Sequence, residues 1–345
     1  MLSRPGQDNA VESCDVPPKN PLAPSDGERA KGEGFRSLAE AAGIVPHISV
    51  CVCTFKRPAL LAKLLKGLFD QRTDGKFTFS IVIVDNDRLG SARKTVEGFQ
   101  ASHELAIDYF IEPEQSIALA RNRAVSNAKG NFVAFIDDDE YPIVDWLLQL
   151  YNTLIDRKAD GVLGPVDSQF TEAPPAWILK TGVFDRPNGP GYVTGAVLDW
   201  RRTGTGNVLI RRNVFEAVEG PFLPQFGSGG EDLDFFRRAS SKDKVFVWCN
   251  EALAHETVPL ERTRVWFQLR RALLRGKVSL QQPSGRGLGL LKSAVAFCIY
   301  TLLLPVFLLM GRSMFVKYLI KDFDHFGKLL AVCRINVVRQ KYVVK

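Results

Sequence analysis

The stretch Phe132-Val133-Ala134-Phe135-Ile136-Asp137-Asp138-Asp139 decides the fold of this 345-residue chain. Its five apolar residues are typical of a buried strand. Three carboxylates directly after that strand would repel one another strongly without a cation between them. Mg²⁺ and Mn²⁺ favour such oxygen ligands, and open α/β sheets bind ligands at the carboxyl ends of their strands. The stretch indicates a cation site, with an acidic turn capping a helix from Pro142 as the alternative.

Strands and helices alternate on both sides of this stretch. We predict strands over 48–53, 80–84, 107–111 and 132–136, and helices over 59–69, 91–100 and 116–128. This alternation implies an α/β fold with a largely parallel, doubly wound sheet. Further along, the predicted elements are short strands over 161–164 and 206–211 and a helix from Glu231, set among loops rich in Pro and Gly. Residues 1–46 are predicted to be disordered, except for a short helix around 37–42.

Charge divides the chain into an acidic body and a basic tail. From Arg262 onward there are 16 Lys and Arg against two Asp, whereas the remainder carries 29 basic and 36 acidic residues. A basic tail binds nucleic acid or an anionic membrane, and the apolar content of this one favours the membrane. No apolar core of signal-peptide length lies in residues 1–46, so we expect the body in the cytosol.

The six cysteines show neither metal-knuckle spacing nor a disulfide framework. Cys51 and Cys53 lie two apart on a predicted strand, so we expect them to share one face and pack as small apolar residues.

An apolar segment lies within the basic tail. Residues 293–311 run for 19 positions without a charge, about the minimum that spans a bilayer, and Pro305 interrupts them. Basic residues flank both ends, which argues against one simple crossing. A re-entrant hairpin or an in-plane segment fits better, and a buried helix of a soluble protein is the alternative. We therefore divide the chain into a disordered segment (1–46), a catalytic domain (47–261) and a membrane-associated helical region (262–345).

Five motifs, in a fixed order along the chain, resemble those of a known protein family. They are Val52-Cys53-Thr54-Phe55-Lys56-Arg57-Pro58, Ala120-Arg121-Asn122-Arg123-Ala124, Phe135-Ile136-Asp137-Asp138-Asp139-Glu140, Leu163-Gly164-Pro165-Val166 and Gly229-Gly230-Glu231-Asp232-Leu233-Asp234-Phe235-Phe236. Each motif is weak alone, but their joint order and spacing are specific. Over residues 47–265 the chain resembles family 2 glycosyltransferases of the GT-A fold, and within them the bacterial exopolysaccharide enzymes similar to succinoglycan-biosynthesis glucosyltransferases.

The resemblance implies a nucleotide-sugar site. Asp85 would accept hydrogen bonds from uracil or ribose, with an Asx turn as its structural alternative. Thr54 and Arg57, in the first strand-to-helix loop, would meet the nucleotide, although Arg57 could equally be a solvated side chain. Arg121 would contact the diphosphate or sugar.

The same resemblance implies a divalent metal, Mg²⁺ or Mn²⁺. Asp137 and Asp139 match the outer residues of an Asp-X-Asp motif, which puts Asp139 on the metal and Asp137 on the ribose or metal. Asp138 belongs to the same nucleotide-sugar site, where we expect it either to face away or to orient its neighbours. His255 matches a position that completes the metal shell in several GT-A enzymes, with a structural histidine as an equal alternative.

The catalytic assignments fall on the acidic pair Glu231-Asp232. An inverting transfer needs one carboxylate within hydrogen-bond reach of the acceptor hydroxyl, and the matched motif gives that role to Asp232. Glu231 would bind the acceptor or donor sugar. Acidic residues at a helix start also favour the macrodipole, which is the structural alternative. The preceding glycine-rich loop favours function because it lets substrate approach the backbone.

These roles predict an inverting glycosyltransferase on the cytoplasmic face of the bacterial inner membrane. It would move a hexose, with glucose from UDP-glucose expected, onto a polyprenyl-diphosphate-linked oligosaccharide. Other polysaccharide-assembly enzymes are possible partners, and nucleic acid is not expected. Processive relatives carry Gln-X-X-Arg-Trp, whereas Gln268-Leu269-Arg270-Arg271 has no Trp after the Arg, so we expect one sugar per encounter.

Two rival functions remain open. A nucleotidyltransferase that makes sugar nucleotides shares the sheet and the carboxylates, but it generally needs a glycine-rich loop after the first strand, and residues 53–58 contain no Gly. A catalytically silent membrane scaffold would have lost carboxylates that this chain retains.

Overall fold

The computed structural model describes residues 45–185, 189–227, 229–281, 287–333 and residue 335. The predicted helix around 37–42 and nearly all of the segment predicted to be disordered lie outside the described residues. The described part is an α/β body followed by three long helices, as the alternating pattern and the apolar tail indicated.

Ten strands form two sheets. They are β1 (His47–Thr54), β2 (Thr78–Asp85), β3 (Ile107–Ile111), β4 (Phe132–Ile136), β5 (Glu140–Pro142), β6 (Gly161–Leu163), β7 (Val166–Phe170), β8 (Asn207–Arg211), β9 (Phe246–Trp248) and β10 (Ala254–Val258). The large sheet has the order β3-β2-β1-β4-β8-β6-β9, and the small sheet has the order β5-β10-β7. Because β8 runs antiparallel to both β4 and β6, the large sheet is mixed rather than fully parallel.

Ten helices accompany the strands in the described residues. They are α1 (Pro58–Phe69), α2 (Arg93–Ser102), α3 (Ile117–Asn127), α4 (Trp146–Asp156), α5 (Ala176–Thr181), α6 (Arg212–Ala217), α7 (Glu231–Ser240), α8 (Val265–Gln281), α9 (Leu288–Leu309) and α10 (Arg312–Val332). The helix predicted to start near Pro142 and Ile143 is present but begins at Trp146. Pro142 ends β5, whose backbone pairs with β10.

The large sheet is covered on both faces. Val50 and Val52 of β1 point into one apolar cluster with α1 and α4, whereas Cys51 points into a second cluster with α3 and α7. Alternation along a strand produces this division. Cys51 is fully buried and Cys53 packs against the same cluster, so the expected shared face of the two cysteines is confirmed. The buried layers leave the carboxyl ends of β1, β2 and β4 as the edge that can bind a ligand.

The three C-terminal helices pack in the order α8, α10, α9. Gly276 of α8 and Gly327 of α10 lie at their crossing, where a Cβ on either would strike the backbone of the other helix. Glycine is therefore required for this close approach. Helix α9 lies outermost; it is the single described helix long and apolar enough to cross a membrane, and only 6% of its most apolar window is buried.

Asn207 connects the two sheets. Its amide oxygen accepts from Trp146 Nε1 at 2.8 Å, and its nitrogen donates to the carbonyls of Pro165 and Ala252 at 2.9 and 2.8 Å. We expect Asn207→Ala to lower the free energy of unfolding by about 3 kcal/mol, because a buried donor and two carbonyls lose their partner. Urea unfolding followed by circular dichroism measures this loss.

Asn152→Ala is the matched control. Asn152 accepts one hydrogen bond from Lys76 at the surface, so we expect a change within about 0.5 kcal/mol. Equal losses in the two variants would contradict the assigned role of Asn207.

Candidate functional site

Two carboxylates that follow β4 are held by side chains from other parts of the chain. Thr54 Oγ1 donates to Asp138 at 2.8 Å, and Arg57 Nη1 lies 2.9 Å from Asp138 and 3.2 Å from Asp139. Arg262 also pairs with Asp139. Burial raises the pKa of Asp138 to about 6, although Arg57 opposes that shift. Thr54 and Arg57, predicted to meet the nucleotide, thus bind the carboxylates in this structure.

Two glutamates extend the acidic cluster into the small sheet. Glu140 and Glu256 are direct partners across β5 and β10, so their side chains share one face. Glu256 pairs with Arg262, whereas Glu140 accepts only a backbone hydrogen bond from Asp137, at 3.3 Å. Burial and the nearby charges of Asp137 and Asp139 raise the pKa of Glu140 well above its usual value. The cluster therefore has more negative charge than its basic neighbours balance.

Arg121 joins the β4 carboxylates to the start of α7. Its side chain is 8% exposed, and it pairs with Asp137 at 3.3 Å and with Glu231. Ser116 caps α3 by accepting from Leu119 and so fixes where the helix that carries Arg121 begins. A guanidinium this buried needs both carboxylates to replace the water that it loses. The arrangement brings three residues predicted for different roles into one contact.

Glu231 and Asp232 lie at the start of α7 and differ in how their carboxylate oxygens are bonded. Glu231 is 2% exposed, and its Oε2 has no hydrogen-bond partner among the described residues. Burial raises the pKa of Glu231 to about 7, although the charge of Arg121 opposes that shift. Asp232 Oδ1 accepts from the Leu233 amide at 2.8 Å, while its Oδ2 lies 3.7 Å from the position of a Cβ on Gly204. These two side chains are thus positioned to accept hydrogen bonds from a substrate.

Asp85 forms the Asx turn that was the structural alternative to a nucleotide contact. It is fully buried, and its carboxylate accepts from the backbone amides of Asp87 and Ala92 and from the Tyr109 hydroxyl, at 3.0, 2.7 and 2.9 Å. The Asp87 bond is an Asx turn. Asp85 therefore organises the loop after β2, and its predicted nucleotide contact would require that loop to rearrange.

His255 lies apart from the acidic cluster. It pairs with Tyr141 across the small sheet, and its ring lies 5.2 Å from the Tyr141 ring and 3.8 Å from Asp167. The next residue, Glu256, faces the opposite side, toward Arg262. The structure thus does not bring His255 together with Asp139, and its predicted role as a metal ligand stays a prediction.

The cluster fits a divalent cation in ligand type and charge. Its members are Asp137, Asp138, Asp139, Glu140, Glu231 and Glu256, against Arg57, Arg121 and Arg262. All its acceptors are carboxylate oxygens, which Mg²⁺ and Mn²⁺ prefer. With every group ionised, the six carboxylates exceed the three guanidinium groups by three formal negative charges. Within the described ranges, however, no three His, Cys, Asp or Glu side chains converge as a metal site. The Asp138 and Asp139 carboxylates are bound to arginine instead.

Sequence reasoning missed Arg262, Glu140 and Glu256. Arg262 was assigned to the basic tail, yet it is 12% exposed as a side chain and lies between Asp139 and Glu256. No local signal in the sequence distinguishes it from the other basic residues, because its contacts with Asp139 and Glu256 arise only from the fold. Glu140 directly follows the acidic triplet in the chain, and that position was its signal.

Comparison with known proteins gives matches in sequence and structure. The family model described as glycosyl transferase family 2 matches residues 49–218. The succinoglycan biosynthesis protein ExoM of Rhizobium meliloti (strain 1021) is 36% identical over 228 residues, 65% of this chain and 72% of that protein. The GalNAc(5)-diNAcBac-PP-undecaprenol beta-1,3-glucosyltransferase of Campylobacter jejuni is 29% identical over 119 residues, 34% of this chain and 36% of that protein. The crystal structure of S. aureus TarS 1-349 in complex with UDP has a TM-score of 0.47 and 14% identity, covering 87% of this chain and 95% of that one.

The burial of the Arg121–Glu231 pair leads us to expect non-additive changes in the free energy of unfolding when the two residues are replaced. Arg121→Met should lower the free energy of unfolding by about 3–5 kcal/mol, because Glu231 is left buried without its partner. The double variant Arg121→Met/Glu231→Gln should recover part of that loss, since the orphaned charge is gone. Urea unfolding of both single variants and the double variant gives the coupling free energy.

Arg123→Met, on the same helix, is the control. Its side chain is 41% exposed and lies 3.5 Å from Glu112, so we expect a loss below about 1 kcal/mol. Additive effects of the Arg121 and Glu231 substitutions would show that the pair does not act as a unit.

Proposed function

Because the chain belongs to glycosyl transferase family 2 and is a glycosyltransferase, we propose that it performs an inverting, non-processive hexose transfer. The donor is UDP-glucose, and the acceptor is a polyprenyl-diphosphate-linked oligosaccharide in exopolysaccharide synthesis. One observation carries the proposal: the β4 carboxylates and the acidic start of α7 meet at one edge of the sheet, joined by Arg121. Open α/β sheets bind their ligands at such an edge.

The donor end of the site lies at the β4 carboxylates. Asp137 and Asp139 would hold a divalent metal, which when bound neutralises charge on the departing diphosphate. Asp137 is well placed for this because its side chain is 46% exposed. Arg57 is held within reach of the same carboxylates by Asp138 and is therefore positioned for a nucleotide phosphate.

Asp232 is the base in this proposal. Its carboxylate accepts the proton of the acceptor hydroxyl, and the acceptor oxygen attacks the anomeric carbon as the bond to the diphosphate breaks. Attack from the face opposite the leaving group inverts the anomeric centre, so an α-linked donor gives a β-linked product. Glu231 Oε2, buried and without a partner, accepts a hydroxyl of a bound sugar.

The acceptor and location rest on the relatives and on α9. The matched relatives are named for succinoglycan biosynthesis and for transfer to an undecaprenol-linked sugar. Helix α9 carries exposed apolar side chains along its length, including Leu291, Leu302 and Leu309. Thr301, near its middle, donates to Asp322 of α10, and charge at that depth is costly for a spanning helix. We therefore place α9 in the plane of the cytoplasmic face of the inner membrane.

Replacement of Asp232 tests the catalytic role. We expect Asp232→Asn to lower kcat about 100- to 10,000-fold with little change in donor KM, because the amide cannot take the proton. UDP release is measured on detergent-extracted full-length protein with UDP-glucose and an undecaprenyl-diphosphate-linked oligosaccharide. Asp243→Asn is the control, since Asp243 is exposed and has a φ of 59°, which Asn adopts readily.

Two outcomes would contradict this assignment. Full activity in Asp232→Asn would show that Asp232 is not the catalytic base. UDP-glucose binding without turnover in the wild type, for any lipid-linked acceptor, would favour a catalytically silent scaffold.

Removal of metal tests the donor end of the site. We expect EDTA to abolish sugar transfer and Mg²⁺ or Mn²⁺ to restore it, because the surplus carboxylates then have a cation to balance them. Isothermal titration with Mn²⁺ provides a readout independent of turnover and should lose its signal in Asp137→Asn. Turnover unaffected by EDTA would show that Arg57 and Arg262 suffice.

A further inference from the structure

A groove lies beside the segment that joins the catalytic body to the C-terminal helices. It has a volume of about 680 Å³, in the range of small-molecule sites, and its wall is mainly apolar. Its apolar lining includes Pro175 and Trp177 from around the start of α5, and Leu260 and Val265 from around the segment before α8. Trp177 is 5% exposed and packs in a cluster with α8 and α10, so the groove has a fixed wall.

Two arginines line the otherwise apolar groove. Arg264 and Arg312 are both exposed, and neither makes an ion pair with any residue in the described part of the chain. Arg312 is also the first residue of α10, whose first turn has no side-chain cap. Free backbone N–H groups at a helix start attract anions, and here they add to the two guanidinium groups. The groove thus combines an apolar wall with unpaired positive charge, which matches an anionic lipid.

One turn separates the groove from the acidic cluster, and one lining residue follows the apolar helix in the chain. The turn Leu260–Thr263 presents Arg262 to Asp139 on one side and Leu260 and Thr263 to the groove on the other. Toward the membrane, Arg312 follows the end of α9, where Leu309 is 89% exposed. A ligand in the groove would therefore lie between the surface that we assign to the bilayer and the carboxylates that perform the transfer.

We infer that this groove binds the polyprenyl diphosphate of the acceptor. Arg264, Arg312 and the first turn of α10 hold the diphosphate, and the apolar wall takes the adjoining isoprenoid units. This inference rests on the proposed lipid-linked acceptor, and it specifies where that acceptor is anchored. A diphosphate suits the site better than a single phosphate because two separate guanidinium groups can each pair with one phosphate.

Direct binding tests the groove without relying on turnover. Full-length protein in detergent is titrated with undecaprenyl diphosphate, with phosphatidylglycerol and with inorganic pyrophosphate, and binding is followed by microscale thermophoresis. We expect the tightest binding for undecaprenyl diphosphate, weakened at least about tenfold in Arg264→Gln/Arg312→Gln. Lys317→Gln removes one charge from α10 outside the groove and should leave the Kd unchanged.

A second variant tests the contribution of the apolar wall to binding independently of the charge. Ala176 is exposed and lines the groove, so Ala176→Trp should fill it without altering the charge or the core. We expect weaker binding of undecaprenyl diphosphate and unchanged binding of pyrophosphate. Unchanged undecaprenyl diphosphate binding in both groove variants would overturn the inference. Equal affinity for phosphatidylglycerol would also overturn it, because the site would then be a general anionic-lipid surface.

Sugar transfer distinguishes failure of the groove from failure of the proposed function. In the arginine variant we expect a higher KM for the lipid-linked acceptor, with kcat and the KM for UDP-glucose unchanged. If the arginine variant transfers sugar with the wild-type KM for the acceptor, the groove is not the acceptor site. The proposed glycosyltransferase function would still stand. Lack of transfer by the wild-type protein would contradict the proposed acceptor. The binding titration would still show whether the groove binds undecaprenyl diphosphate.

Discussion

The site depends on one buried guanidinium. Arg121 reaches from α3 to Asp137 after β4 and to Glu231 at the start of α7, and these carboxylates replace the water that the group gives up on burial. Removal of Arg121 would leave Glu231 as a buried charge without its partner. The three elements must therefore keep their relative positions for the fold to remain stable. The same contact joins the β4 carboxylates to the start of α7, where Asp232 lies.

A surplus of negative charge is the second constraint on this region. Arg57 comes from the first loop and Arg262 from the segment before the C-terminal helices, and both converge on Asp139. The body of the chain is acidic and its tail is basic. The ion pair between Arg262 of the tail and Asp139 of the body joins the two parts. Burial is the main cause of the raised pKa values of Glu140 and Glu231, and the neighbouring negative charges raise both values further.

The sequence predicted the parts of the fold whose pattern is local. The strands over 107–111 and 132–136 were predicted at their observed bounds, because each is an apolar run bounded by polar residues. The small sheet was missed because β5 has only three residues and exists through its pairing with β10, more than 100 positions away. The antiparallel direction of β8 likewise has no local signature. At the site, motif spacing identified Arg121, Asp137 and Glu231, whereas Arg262 required knowledge of which distant segment returns to the edge of the sheet.

The glycine crossing of α8 and α10 has a consequence for which acceptors can react. With backbone touching backbone at Gly276 and Gly327, little space remains for the two helices to slide or tilt. In the proposed placement of α9 on the bilayer, a rigid α8–α10 pair would limit how far the height of the carboxylates above the lipid can vary. An oligosaccharide that is too short would not reach Asp232, and one that is too long would carry its terminal hydroxyl past it. Chain length of the growing repeat unit, as much as the identity of its last sugar, would decide when this enzyme acts.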